Sequence, residues 1–99
     1  MNKRDKERRR AVRRIFFDTD LAGLAFGGES FPEYEYDTEA DLAMSWLANG
    51  LSPTDVAARA ARYIQRDWGV SVPDGKVEQL AHALALLSSK PESQGQQPN

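Results

Sequence analysis

The segment from Ser52 to Gly69 constrains the fold more than any other part of the sequence. Ser52 is a favourable N-cap residue, Pro53 suits the first position of a helix, and Gly69 suits a helix C-terminus. Between these signals, apolar residues recur with the period of one helix face: Val56, Ala57, Ala60, Ala61, Ile64 and Trp68. A helix with one apolar face has to bury it against neighbouring elements. The segment therefore predicts a core helix.

Two earlier segments also have helical patterns. Residues 3–17 are rich in Arg, Lys and Glu, which favour helices, and their apolar residues share one narrow face near the end of the segment. A second helix is predicted to start at Asp37 or Thr38, either of which can cap its first turn, and to end at Asn49–Gly50. These segments predict the two helices that precede the helix starting after Ser52.

The last periodic segment follows Gly75. Its apolar residues lie at core spacing: Val77, Leu80, Ala81, Leu84 and Leu87. The sequence therefore predicts an all-α fold, a small bundle of about four helices. The 99 residues suffice for one domain. We expect a basic arm over residues 1–10 at the start of the first helix, a helical domain over residues 11–88, and a disordered polar tail over residues 89–99.

A long connection, residues 18–36, is predicted between the first and second helices. Three glycines and one proline discourage regular structure there, yet the segment also contains aromatic residues, which are unusual in a free loop. Loops of this length in compact domains are usually functional or packed against the body. We expect the aromatic side chains of this loop to fold back over the helices.

The net charge of −2 hides two blocks of opposite sign. Residues 1–14 carry a charge of +6, and the remainder of the chain carries −8. From Asp18 to Asp41 there are eight acidic residues and no Lys or Arg. Such blocks either form contact surfaces for partners of opposite charge or neutralise each other within the molecule. The sequence leaves both alternatives open.

Several classes of chemistry lack their residues here. The absence of cysteine excludes disulfides, thiol nucleophiles, thiolate zinc sites and iron–sulfur clusters. The single histidine, His82, follows Glu78 by one helical turn, which is typical of an exposed helix pair. The acidic residues do not have the spacing of a calcium-binding loop. We therefore expect a non-enzymatic protein with no cofactor and no metal.

The apolar runs are too short for a membrane span or a signal peptide, so we expect a cytoplasmic protein without a membrane partner.

Two motifs carry a resemblance to a known family: residues 20–24, Asp-Leu-Ala-Gly-Leu, and residues 32–39, Pro-Glu-Tyr-Glu-Tyr-Asp-Thr-Glu. The chain resembles a family of small bacterial proteins of unknown function that read D-P-x-G-L and then P-x-D-E-Y-D-x-E-A. The resemblance implies a compact helical bundle, no known enzymatic activity and immunity-type or defence-type gene neighbourhoods. It also implies that six residues act as a unit, either as a loop-to-helix lock or as a binding site. These are Asp20, Gly23, Glu35, Tyr36, Asp37 and Glu39.

The leading functional hypothesis is a non-catalytic protein-binding module, of inhibitor or immunity type. Aromatic residues set among acids suit docking onto a partner with a basic surface. The residues predicted to contact that partner are Asp20, Phe26, Phe31, Glu33, Tyr34, Glu35, Tyr36, Asp37 and Glu39.

The alternative hypothesis is a nucleic-acid-binding protein. The basic arm can displace counterions from a phosphate backbone, and arginines recur along one face of the third helix. The residues predicted for this role are Arg8, Arg9, Arg10, Arg13, Arg14, Arg59, Arg62 and Arg66. Residues 47–57 resemble the entry of a helix-turn-helix, but the helix after Ser52 is too long for the positioning helix of that motif, so an ordinary helical hairpin is favoured.

Overall fold

The computed structural model describes residues 3–24 and 33–89, and for Glu33, Ser88 and Ser89 it describes the backbone only. The elements are helix α1 (Lys3–Thr19), a 3₁₀ turn (Glu33–Tyr36), and helices α2 (Asp37–Ala48), α3 (Pro53–Trp68) and α4 (Asp74–Ser89). No strand occurs among these described residues. The prediction of a small all-α bundle is confirmed.

The helices pack in a closed cycle. α1 contacts α2 and α4, and α3 contacts the same two helices from the other side. Within these described helices, no Cα atom of α1 lies within 8 Å of one in α3. α1 and α3 therefore occupy opposite corners of the bundle. The core between them is formed by Val12, Phe16, Leu21, Tyr36, Ala40, Ala43, Val56, Ala57, Ala60, Ala61, Ile64, Val72, Leu80 and Leu84.

α3 begins and ends as its sequence predicts. The Ser52 hydroxyl accepts a hydrogen bond from the Asp55 backbone N–H at 3.1 Å. Gly69 has a φ of 69°, in the left-handed region, and its N–H donates to the Gln65 carbonyl at 3.1 Å. The predicted apolar face is buried except at Trp68, which is half-buried. The capping residues and the periodicity are therefore both confirmed.

α4 also follows its pattern, with Leu80 and Leu84 fully buried and the other predicted core residues half-buried. It begins at Asp74, slightly before the predicted start after Gly75. The cause is local, because the Pro73 carbonyl accepts from the backbone N–H groups of Lys76 and Val77.

The connection between α1 and α2 differs from the predicted loop at both ends. α1 continues to Thr19, and a 3₁₀ turn leads directly into α2. α2 starts at Asp37 as predicted. The prediction that the side chain of Asp37 or Thr38 caps this helix is wrong. Tyr36 occupies the N-cap position, and its side chain makes no capping hydrogen bond. Its ψ angle is 14°, whereas a residue that caps with its side chain typically has an extended backbone. Phe26 and Phe31 lie outside the described residues, as does most of the predicted tail.

Candidate functional site

An ion-pair cluster joins α1 to α2. The Asp41 carboxylate accepts hydrogen bonds from Nε and Nη2 of Arg9 at 3.1 and 2.9 Å, and from Nε and Nη2 of Arg13 at 3.3 and 3.0 Å. Arg13 Nη1 also lies 3.1 Å from Asp37 Oδ2. The hydrogen bonds from Arg9, followed by those from Arg13, hold the pKa of Asp41 below its ordinary value. The basic and acidic blocks of the sequence therefore neutralise each other in part within the molecule.

Asp20 and Tyr36 form a buried lock at the end of α1. Asp20 has a φ of 52°, and its Oδ1 accepts from the Tyr36 hydroxyl at 2.5 Å and from the Leu24 N–H at 2.8 Å. The Tyr36 hydroxyl in turn accepts from the Ala22 N–H at 3.0 Å. Lys76 on α4 donates to the Asp20 carbonyl at 2.6 Å. One aspartate thus ties the turn after α1 to the 3₁₀ turn and to α4.

Glu39 lies in the interior next to this lock. The Tyr36 ring stacks on Trp68 with a centroid distance of 5.3 Å and an interplanar angle of 9°. Glu39 is only 4% exposed, and its Oε1 has no hydrogen-bond partner within the described part of the chain. Burial raises the pKa of Glu39, while its own backbone N–H and a side-chain hydrogen bond from Trp68 act against that rise. Glu39 is therefore a buried carboxyl group with one unpaired oxygen.

Three residues predicted to contact a partner are thus interior. Asp20, Tyr36 and Glu39 are 7%, 1% and 4% exposed, so in this structure they present no surface to a partner. Of the six residues that the family resemblance groups together, Asp20 and Tyr36 are joined in the lock, whereas Glu35 is exposed. Acidic and aromatic residues suit an interface, but these three make contacts with distant parts of the chain inside the fold. Tyr36 bonds Asp20 and stacks on Trp68, which also bonds Glu39.

The other predicted contact residues are divided. Tyr34 is 70% exposed and Glu35 is exposed as well, both on the 3₁₀ turn. Asp37 is partly buried and paired with Arg13. Phe26, Phe31 and the side chain of Glu33 lie outside the described residues. Tyr34 and Glu35 are therefore the members of the predicted set that the structure places on the surface.

A groove of about 690 Å³ lies between α1 and the 3₁₀ turn, beside Tyr34. Its apolar wall is formed by Ala11 and Phe17. The Arg14 guanidinium lies 5.2 Å from the Phe17 ring centroid and pairs with Asp18 at 3.1 Å. The groove is also lined by charged residues of the described part of the chain: Glu7, Arg10, Arg13, Arg14 and Asp37. The sequence signal for this groove was the position of Phe17, off the face formed by Val12 and Phe16.

The arginines of the nucleic-acid hypothesis lie on two separate helices. Five are on α1 and three on α3, and these helices are at opposite corners of the bundle. The guanidinium of Arg59 lies 5.7 Å from the Trp46 ring centroid, and that of Arg66 lies 6.0 Å from the centroid of Tyr63. Arg62 is exposed. The structure therefore does not bring the two basic sets onto one surface.

Glu78 and His82 are both exposed on α4. Among residues 3–24 and 33–89, no group of three or more His, Asp or Glu side chains is arranged to hold a metal ion. None of the helices in these ranges combines the length and apolarity needed to cross a membrane.

Comparisons with known proteins return no match to a protein-family model, a curated protein or a solved structure. The resemblance to the small bacterial family stays a prediction. The assignment of function has to come from the surfaces described above.

Proposed function

We propose that this protein is a non-catalytic protein-binding module that docks its partner through the groove between α1 and the 3₁₀ turn. The observation that carries the proposal is the 70% exposure of Tyr34 beside a groove walled by Ala11 and Phe17. Tyrosine supplies a large, rigid and amphipathic contact, and it is enriched at the energetic centres of protein interfaces. An exposed tyrosine next to an apolar recess is the arrangement that such an anchor uses.

The charges around the groove favour a basic partner. Of the three arginines in the lining, Arg10 makes no ion pair within the described part of the chain. The other two are paired, Arg13 with Asp37 and Asp41 and Arg14 with Asp18. Glu7 and Glu35, by contrast, make no ion pair within the described part of the chain. A partner that offers an apolar side chain to the groove and a basic side chain to Glu35 would satisfy both features. We include in the proposal an inhibitor or immunity-type role and a location in the bacterial cytoplasm; the immunity-type role is the one that the family resemblance implies.

The test uses two exposed apolar side chains as a matched pair. Tyr34 is on the proposed surface, whereas Leu86 on α4 is 57% exposed and does not line the groove. Wild-type protein, Tyr34→Ala and Leu86→Ala are immobilised, and one stoichiometric partner is sought in extracts of the native host. We expect Tyr34→Ala to weaken binding of that partner by on the order of 10-fold or more, and Leu86→Ala to leave it unchanged.

A second measurement addresses the partner's charge. With the partner purified, Glu35→Lys is expected to weaken binding, and added salt is expected to weaken the wild-type complex. Equal binding by the wild type and Tyr34→Ala would refute the groove as the docking surface. Unchanged affinity of Glu35→Lys would refute the basic character of the partner.

A further inference from the structure

The residues that line a second recess on α1, within the described part of the chain, are all basic. The recess has a volume of about 330 Å³, and its lining residues are Lys6, Arg9, Arg10 and Arg13. These positions are related as i, i+3, i+4 and i+7, so they share one face of a regular helix. The charges therefore converge on one surface and are not spread around the helix.

The four cations are held to different degrees. Arg9 and Arg13 are oriented by their hydrogen bonds to Asp41, which fix both guanidinium planes against α2. Arginine carries five N–H groups, so each of these residues retains donors beyond those bonds. Lys6 and Arg10 make no ion pair within the described part of the chain. The recess thus combines two preoriented guanidinium groups with two unneutralised cations.

The composition of the recess selects the class of ligand. Protein interfaces typically have an apolar centre, and a membrane-surface helix has an apolar face, but none of the described residues that line this recess is apolar. Phosphate groups require neither, and planar guanidinium groups bind them through paired hydrogen bonds. At a rise of about 1.5 Å per residue, Lys6 and Arg13 are separated by roughly 10 Å along the helix. Along the axis of a duplex, that distance corresponds to about three nucleotide steps of one strand.

We propose that this face of α1 binds the phosphodiester backbone of a nucleic acid. The site consists of Lys6, Arg9, Arg10 and Arg13, with Asp41 as the residue that positions two of them. The arginines of α3 take no part, because they lie at the opposite corner of the bundle. This activity goes beyond the protein-binding function. The recess shares Arg10 and Arg13 with the lining of the groove, but Tyr34 does not line it.

The experiment measures fluorescence anisotropy of labelled DNA, as a duplex and as a single strand of about 20 nucleotides, over a salt range of roughly 50 to 200 mM. The test variant is the double substitution Lys6→Gln and Arg10→Gln. The matched control is Arg62→Gln with Arg66→Gln, which removes the same charge from α3. Circular dichroism verifies that both variants are folded, and Lys6 and Arg10 have no described ion pair on which the fold depends.

We expect wild-type protein to bind the DNA in a salt-dependent manner. The test variant should lose at least about 10-fold in affinity, and its slope of log K against log salt on duplex DNA should fall by about 1.8, because each phosphate contact contributes about 0.9. The control should change by less than about twofold. Tyr34→Ala should bind DNA as the wild type does. The experiment therefore tests DNA binding independently of the protein-binding proposal.

Three results would overturn the inference. The first is an absence of salt-dependent binding to both probes. The second is an equal loss of affinity in the test and control variants, which would reflect total charge and not a site. The third is displacement of the DNA by polyglutamate at the same concentration of negative charge, which would assign the recess to an acidic protein.

Discussion

The replacement Glu39→Gln should stabilise the protein at neutral pH. Glu39 is almost completely buried, and its Oε1 accepts no hydrogen bond within the described part of the chain. Besides burial, the nearby carboxylates of Asp67 and Glu35 disfavour its ionised form and raise its pKa. The charged side chain therefore opposes folding, while its contact with Trp68 partly offsets this effect.

The size of the effect follows from the unpaired oxygen. Leaving a buried acceptor unpaired costs about 1–3 kcal/mol, and more when the group is charged. In the Glu39→Gln variant the amide oxygen can still accept from Trp68, and a neutral NH₂ group replaces the unpaired oxygen. That NH₂ group is itself unpaired, so only the charge-dependent part of the cost is recovered. We expect a gain of about 1 kcal/mol in the free energy of unfolding, equivalent to a rise in Tm of roughly 4–8 °C.

The dependence on pH gives the prediction its sign. A carboxyl whose pKa is higher in the folded state contributes fully below its ordinary value of 4.5, and that contribution is lost as the pH rises through the raised value. The wild type therefore loses stability as the pH rises from 4.5 through the raised pKa of Glu39. The Glu39→Gln variant has no carboxyl group at this position and does not show this loss. The difference between the two proteins should be largest near about pH 7.5 and should shrink towards about pH 4.

Urea denaturation at these two pH values, followed by circular dichroism, measures that difference directly. Glu78→Gln is the control, because it makes the same carboxylate-to-amide change at an exposed position on α4, and we expect an effect within about 0.5 kcal/mol. A lower free energy of unfolding for Glu39→Gln near neutral pH would refute the reasoning. A difference between wild type and variant that does not change with pH would also refute it.

The other predictions concern the two networks around the site. Tyr36→Phe should destabilise the protein by about 2 kcal/mol in urea denaturation, because the buried Asp20 carboxylate loses a donor and the Ala22 N–H loses its acceptor. Tyr63→Phe, at a partly exposed position, is the control. Equal effects of the two substitutions would contradict a stabilising role of the lock. Asp41→Ala should cost about 1 kcal/mol after allowance for solvent screening, since Asp41 and Arg9 are each 39% exposed. The pKa of Asp41 is lowered, so its stabilisation is present above the ordinary value of 3.8 and disappears as the pH falls through the lowered value. An effect of Asp41→Ala that does not decrease as the pH is lowered from neutral into the acidic range would show that its ion pairs are not the cause.

The helices could be predicted from the sequence where their signals are local. Ser52, Pro53 and Gly69 mark α3 within the segment itself, and the structure follows them. The start of α2 shows where local signals fail. Thr38 and Asp41 resemble a capping pair, but a 3₁₀ turn delivers the chain to α2 without an extended cap residue, and Asp41 instead bonds arginines of α1.

The site was harder to predict because it depends on contacts between distant residues. The bond from Arg9 to Asp41 spans 32 positions, and the bond from Tyr36 to Asp20 spans 16. Residue type alone does not distinguish an exposed tyrosine from a buried one. Tyr34 and Tyr36 are separated by a single residue in the 3₁₀ turn, yet one is 70% exposed and the other 1%. The hydroxyl of Tyr36 is drawn inward by Asp20, whereas Tyr34 lies beside the open groove.

The two demands placed on Asp20 limit how this position can diverge among descendants of the protein. Its backbone lies in the left-handed region, where glycine is most at ease, but its side chain must accept from both Tyr36 and Leu24. Glycine would meet the first demand and fail the second, and glutamate would fail the first. Asparagine tolerates the left-handed region and carries an acceptor at the same place. Sequence drift here should therefore be confined to aspartate and asparagine, which makes this position a useful marker for recognising distant relatives.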